Sequence, residues 1–133
     1  MRDNLTAGIV ATTTGSIQQA TKELRPTGKC CGWPSAHTSR AFATAHIAKR
    51  NYDKSGLTTL TKDMLIYSTF LTAYATGWAR VEAGEHYPSQ VFIGAAYGNF
   101  LSSVLYDSTE SLDILPMISI EPDFMMIGVH YEF

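Results

Sequence analysis

A mainly α fold is predicted: a helical domain over about residues 1–110, closed by a short C-terminal β-hairpin tail over 111–133. Three observations predict it. Long proline-free stretches alternate with short clusters of Pro, Gly and Asn, as in helices separated by loops. In "FMMIGVHYEF", Met125, Ile127, Val129, Tyr131 and Phe133 fall on alternate positions, a period of two that marks a strand. Hydrophobic residues make up 45% and charged residues 17%, so the chain can build a core.

The elements follow in order. A first helix is expected from about Leu5 to Leu24, with an interruption at Gly15. "RPTGKCCGWPS" is a loop, broken by Pro26, Gly28, Gly32 and Pro34. A second helix should run from about Ala36 to Arg50, with Ser35 as N-cap and Lys49 and Arg50 at its negative end. "NYDKSG" ends it. Thr61 is the expected cap of a third helix, from about Lys62 to Glu82. "AGEHY" breaks that run, and Pro88 suits the first turn of a fourth helix reaching about Tyr106. Gly94, Ala95, Ala96 and Gly98 on it allow close packing. "DILPMISI" is the expected partner of the last strand, confined to an edge by Pro116.

The bulk numbers exclude some classes. Formal net charge is -2 and no block of lysine or arginine is present, which argues against a nucleic-acid partner. No apolar run reaches the roughly 18 residues of a membrane span. The best candidate, "MLIYSTFLTAYATGWA", is broken by Ser68, Thr69, Thr72 and Thr76. The start, "MRDNLTAGIV", lacks a secretory pattern, so either export by that route is absent or an upstream piece is missing. Cys30 and Cys31 are adjacent, and a bridge between neighbours closes a strained ring. They are expected to be unpaired loop residues, with a redox role as the second reading.

Four basic residues carry the chemistry: Arg25, His37, Arg80 and His86. Phosphoryl transfer needs cations that hold the phosphate oxygens, a nucleophile, and an acid for the leaving oxygen. The planar fork of arginine suits the first task, and histidine, which titrates near neutrality, suits the others. Ser35 and the backbone N–H groups that open the second helix form a natural anion site, and His37 sits in that first turn. All four lie at expected helix ends, where side chains can converge at one mouth of a bundle. His46 lies on roughly the opposite helix face from His37 and, with His130, reads as an ordinary hydrogen-bonded histidine. No two histidines share a metal-ligand spacing.

Together the spacings resemble the type 2 phosphatidic acid phosphatase family, which shares its fold with bacterial acid phosphatases and vanadium haloperoxidases. "QQATKELRP" resembles its K-x6-R-P motif through Arg25 and Pro26, "PSAH" its P-S-G-H motif through Pro34, Ser35 and His37, and "ARVEAGEHYPSQ" its S-R-x5-H-x3-D motif through Arg80 and His86. The resemblance covers about residues 18–105. It implies a helical bundle of the acid phosphatase type over 1–110, with His86 as nucleophile and His37 as general acid. Arg25, Arg80 and Ser35 would bind phosphate, and no metal or cofactor is implied. The implied substrate is a phosphate ester or lipid phosphate. Family members carry more helical chain before the first motif, so an upstream segment or a covering partner is expected.

The departures bear on activity. Gln18 stands at the motif lysine, Ala36 at the glycine, Ala79 at the serine and Gln90 at the terminal aspartate. That aspartate orients the nucleophile and supports its positive charge. In a related histidine–aspartate pair the amide swap costs on the order of ten-thousandfold in rate. Two outcomes are therefore implied: a phosphomonoesterase, or a catalytically inactive relative serving as a structural or docking component. The tail, with Tyr131 third from the end and a terminal Phe133, resembles the closing strand of bacterial outer-membrane proteins. The first reading of the tail is a soluble hairpin that packs on the bundle or pairs with a strand of a protein partner, and the second is a cell-envelope assembly with a periplasmic or outer-membrane location. Haloperoxidase chemistry would use the same anion cradle but lacks the lysine.

Overall fold

The computed structural model describes residues 2–111, 115–121 and 124–130, with side chains over 3–109. Among them are four helices: α1 (Arg2–Thr21), α2 (Ala36–Asp53), α3 (Thr59–Glu82) and α4 (Pro88–Ser111). Beyond them β1 (Leu115–Glu121) and β2 (Phe124–His130) pair antiparallel, with Leu115 opposite His130 and Glu121 opposite Phe124. Tyr131 and Phe133 lie outside the described residues.

α1 runs unbroken through Gly15, against expectation. A mid-helix glycine costs only about 1 kcal/mol relative to alanine. Around it Thr12, Thr13, Thr14 and Ser16 each donate a hydroxyl to the carbonyl four residues back, so they do not compete with the helical ladder. The helix stops at Thr21 because Lys22 takes φ +50°, outside the helical region. One stripe of α1, Thr6, Val10 and Thr14, is fully buried.

α2 is the hub and packs against the other three helices, most extensively against α4. Its burial is accordingly broad, taking in Thr38, Ser39, Phe42, Ala43, Ala45 and Ile47. α4 meets it along a stripe of Gln90, Gly94, Gly98, Ser102 and Tyr106, all buried at a spacing of four. Glycine is required at Gly98: a Cβ there would lie 2.0 Å from the Ser39 carbonyl oxygen. At Gly94 the equivalent distance to the Ser35 oxygen is 2.7 Å. The two backbones can therefore approach closely only because these side chains are missing.

α3 is capped by Thr58, whose hydroxyl accepts from the Thr61 N–H, and not by Thr61 itself. It turns Phe70, Ala73 and Gly77 toward α2, where Phe42 meets Phe70 and Tyr74 edge to face at 6.2 and 5.0 Å. A second stripe on α3, Leu60, Met64, Tyr67, Leu71, Tyr74 and Trp78, is 65 to 76% exposed. No helix among the described residues is long and apolar enough to cross a membrane.

The loop between α1 and α2 folds back on itself. Leu24 bridges Cys30, and the Glu23 carbonyl accepts from both Cys31 N–H (2.9 Å) and Gly32 N–H (2.8 Å). These bonds hold Cys31 at φ +76°, and the neighbouring sulfurs of Cys30 and Cys31 are joined. The expectation of unpaired cysteines is therefore corrected. Ring closure between neighbours needs an unusual backbone at one of them, and the double acceptor at Glu23 supplies it.

Candidate functional site

Four chain segments meet at one end of the bundle. The α1–α2 loop brings Arg25, the start of α2 brings Ser35 and His37, the last turn of α3 brings Arg80, and the link to α4 brings Glu85 and His86. The Ser35 N–H donates to the Gln90 carbonyl at 3.0 Å, which ties the first turn of α4 to the start of α2. On the α3 side, Glu85 N–H and His86 N–H both reach the Arg80 carbonyl, at 3.1 and 3.2 Å. That turn, with Gly84 at φ +64°, sets His86 beside Arg80.

Glu85 lies between the two arginines. Its Oε2 accepts from Arg25 Nη1 at 3.0 Å and stands 3.7 Å from Arg80 Nη2. The Arg25 hydrogen bond, with the charge of Arg80 behind it, holds the Glu85 carboxyl below the usual glutamate range. One acid is thus shared by two cations.

His86 is buried at 1% exposure. Its Nδ1 lies 3.0 Å from Gln90 Oε1. The orientation of the Gln90 amide is fixed by its surroundings. Oε1 also accepts from the Tyr87 N–H at 3.3 Å, and Nε2 donates to the Leu24 carbonyl at 2.9 Å. With the oxygen toward His86, Nδ1 must carry the proton, and Nε2 keeps its lone pair. His86 Nε2, Arg25 Nε and Arg80 Nε are all buried with no hydrogen-bond partner among the described residues. A buried polar atom left unmatched costs roughly 1–3 kcal/mol, so three on neighbouring residues mark a place shaped for something other than the protein itself.

Both histidines titrate below the ordinary value. Burial does most of this at His86, with the positive charges of Arg25 and Arg80 adding to it and the contacts to the Gln90 side chain and the Gly32 backbone opposing it. His37 is exposed at the surface, and there partial desolvation leads, followed by the charges of Arg80 and Arg25. Arg25 and Arg80 therefore act on both imidazoles, and the four basic residues share one electrostatic neighbourhood.

Ser35 is fully buried at the head of α2, but its side chain makes no capping bond to the helix backbone. Its oxygen accepts from the Thr38 hydroxyl at 3.0 Å, and its carbonyl takes Ser39 Oγ. Ser35 is the N-cap residue of α2, as expected, but its hydroxyl is engaged across the first turn and not with the helix backbone. Gln18 donates to the Pro34 carbonyl at 2.7 Å, so it braces the loop before α2. Ala36 opens α2, half-buried, and Ala79 is exposed on α3. His46 lies apart, with Nδ1 3.2 Å from Asn99 Oδ1. Among the described residues no group of three His, Cys, Asp or Glu side chains is arranged to hold a metal ion.

Three participants escaped the sequence reading: Glu85, Glu23 and Gly32. Gln90 Nε2 lies 3.3 Å from Glu23 Oε1. A Cβ on Gly32 would lie 2.8 Å from Gln90 Oε1 and 2.9 Å from Arg25 Cγ. The one available signal was position, since Glu85 immediately precedes His86 and Glu23 lies two residues before Arg25.

No curated protein matches the chain, and no solved structure matches it. A family model does: that of the PAP2 superfamily, over residues 7–112. The matched span holds every segment that contributes to this site, and the chain belongs to the PAP2 superfamily.

Proposed function

We propose that the protein hydrolyses phosphate monoesters through a histidine nucleophile. The observation that carries this reading is the trio of buried, unpartnered nitrogens, His86 Nε2 and the Nε atoms of Arg25 and Arg80. Two guanidinium donors bind phosphate oxygens, and the lone pair of His86 Nε2 meets the phosphorus. In the first step a P–N bond forms to His86 and the P–O ester bond breaks. The leaving oxygen takes its proton from His37. In the second step water attacks the phosphohistidine, His37 takes the proton of that water, the P–N bond breaks and inorganic phosphate leaves. Ser35 and the N-terminal end of α2 add donors to the phosphate. The phosphate must displace the Glu85 carboxylate from the arginines.

Beside the site a groove of about 250 Å³ runs along Tyr74, Trp78, Val81, Pro88 and Phe92. Val81 follows Arg80 and Pro88 lies two residues after His86, so the groove suits an apolar leaving group such as that of a lipid phosphate. The test is hydrolysis of p-nitrophenyl phosphate and of a short-chain lipid phosphate by the full chain. Vanadate should inhibit and His86→Ala should abolish turnover. Folded protein without turnover across a broad pH range overturns the reading.

A second reading is favoured by the exposed α3 stripe from Leu60 to Trp78. In it the chain is an inactive relative that docks in a bacterial envelope assembly, with the paired tail offered to a partner strand. It predicts stable copurifying partners and no loss of function on His86→Ala. A monomeric chain whose tail is dispensable overturns it.

A further inference from the structure

The neutral amide at Gln90 is the principal departure of this site, and the structure places a carboxylate directly behind it. Gln90 Nε2 has two hydrogens. One goes to the Leu24 carbonyl at 2.9 Å, and Glu23 Oε1 lies 3.3 Å from the same nitrogen. Gln90 Oε1, at the other end of the amide, accepts from His86 Nδ1 at 3.0 Å. The chain of contacts therefore runs imidazole, amide, carboxylate. We infer that Glu23 is a positioning residue which, through the Gln90 amide, supplies the negative charge that steadies His86 while it carries positive charge.

The chemistry of the amide makes this possible. A carboxylate at the N–H end draws the amide toward its charge-separated form and makes Oε1 a better acceptor. Hydrogen bonds in series strengthen one another by roughly 10–30% each. The imidazolium character that develops at His86 on attack is then stabilised by a carboxylate at one remove.

The main chain at Glu23 is held in place, while its side chain stays exposed. Its carbonyl takes two N–H groups, from Cys31 and Gly32, which closes the loop. Gly32 lies so near Gln90 that no side chain fits between them. The charged groups that act on His86 are Arg25 from the loop and Arg80 from α3, and Glu85 from the link beside it faces both arginines. Arg25 and Arg80 oppose a positive charge on His86. Glu85 is already engaged by both arginines. Glu23 is the carboxylate joined to the ring through hydrogen bonds.

One consequence separates this arrangement from a merely absent aspartate. Gln90→Asp by itself should not improve the site. It removes the donor that faces the Leu24 carbonyl and the Glu23 carboxylate, and it sets two like charges together. Charge belongs at position 90 or at position 23, not at both. Gln90→Asp with Glu23→Gln should recover what each single change loses.

The inference rests on the reading of His86 as nucleophile only for its effect on rate, so the experiment has two arms. In the first, the His86 pKa is measured by NMR on ring-labelled histidine in the full chain, with circular dichroism as a check of folding. Glu23→Gln should lower it, Glu23→Asp should restore most of the shift, and the double variant should bring it back up. In the second arm, Glu23→Gln should reduce kcat for p-nitrophenyl phosphate by roughly tenfold, at the low end of what outer-shell partners contribute. The acid limb of kcat/KM should move to lower pH. An unchanged His86 pKa in folded Glu23→Gln overturns the inference. So does a Gln90→Asp single variant that exceeds the parent. Should no variant turn over substrate while the pKa shifts as stated, the phosphatase reading fails and the charge relay stands.

Discussion

Glu85 Oε2 accepts a hydrogen bond from Arg25 Nη1 at 3.0 Å, and the same oxygen faces Arg80. The site therefore carries its own anion. In the proposed reaction an incoming phosphate would compete with a tethered carboxylate whose local concentration is high. Glu85→Gln keeps a similar shape and removes the charge. Vanadate and inorganic phosphate should then bind several-fold more tightly, as followed by competitive inhibition or calorimetry. An unchanged inhibition constant would mean that the carboxylate does not obstruct the anion. Protonation acts in the same direction. Because the Glu85 carboxyl is held below the usual glutamate range, its obstruction persists into mildly acidic solution and lifts only at lower pH.

In the proposed mechanism the two histidines set the pH dependence: His86 must be neutral to attack, and His37 must be protonated to serve the leaving group. Both titrate below the ordinary histidine value, desolvation being the leading cause and the arginines adding to it. The bell of kcat/KM, which reports the free enzyme, should therefore peak on the acid side of neutrality. A bound phosphate cancels the push of Arg25 and Arg80 on His37, so the alkaline limb of kcat should lie at higher pH than that of kcat/KM. His37→Ala should remove the alkaline limb and cost roughly 10²–10⁴-fold with an alkyl phosphate. The loss should be much smaller with p-nitrophenyl phosphate, whose leaving group departs without a proton. Equal losses on both substrates would assign the acid elsewhere.

The helices were legible in the sequence because their breakers bunch: Pro26 to Pro34, Asn51 to Gly56, and Ala83 to His86. Their ends were less so. "GLTTLTK" offers three threonines as caps, and only the fold of the preceding turn selects Thr58. Arg25, His37, Arg80 and His86 stood out through residue type and spacing. The acids around them did not. Glu85 is sixty residues from Arg25, and Glu23 is 67 from Gln90. A lone glutamate in a loop reads as a solvated charge until the path of the chain is known. The linked cysteines were missed for a similar reason, since the φ of Cys31 depends on hydrogen bonds to Glu23.

Glycines on α1 and α4 should respond in opposite ways to the same change. In α1, Gly15 has nothing within 4 Å of an added Cβ. Gly15→Ala should gain about 1 kcal/mol from helix propensity. In α4, Gly98 has the Ser39 carbonyl oxygen 2.0 Å from that position. The same gain in propensity is available there, but backbone cannot yield as a side-chain tip can. Overpacking costs about 1–3 kcal/mol and sometimes more, so Gly98→Ala should lose net stability as α2 and α4 are forced apart. Urea denaturation of the two variants beside the parent decides it. A stable Gly98→Ala would show that the two helices separate without penalty.

Gly32 offers a way to disturb the site while sparing the fold. An added Cβ would meet Gln90 Oε1 at 2.8 Å and Arg25 Cγ at 2.9 Å. Both obstacles are side-chain atoms and not backbone, but Arg25 Cγ lies near its own main chain and Gln90 is fully buried, so room is made only by displacing the site. The stability cost of Gly32→Ala should therefore fall within about 1–3 kcal/mol. The displaced groups are the partner of His86 and one arm of the proposed phosphate cradle. A misplacement of about 1 Å at such groups can cost on the order of a hundredfold in rate. Gly32→Ala should thus show a moderate fall in Tm and a much larger fall in kcat/KM, with weaker vanadate inhibition. Gly56→Ala is the control, since an added Cβ there meets nothing within 4 Å. If activity and stability fell in proportion at Gly32, the effect would be a general loss of folded protein and not a shift of Gln90 and Arg25.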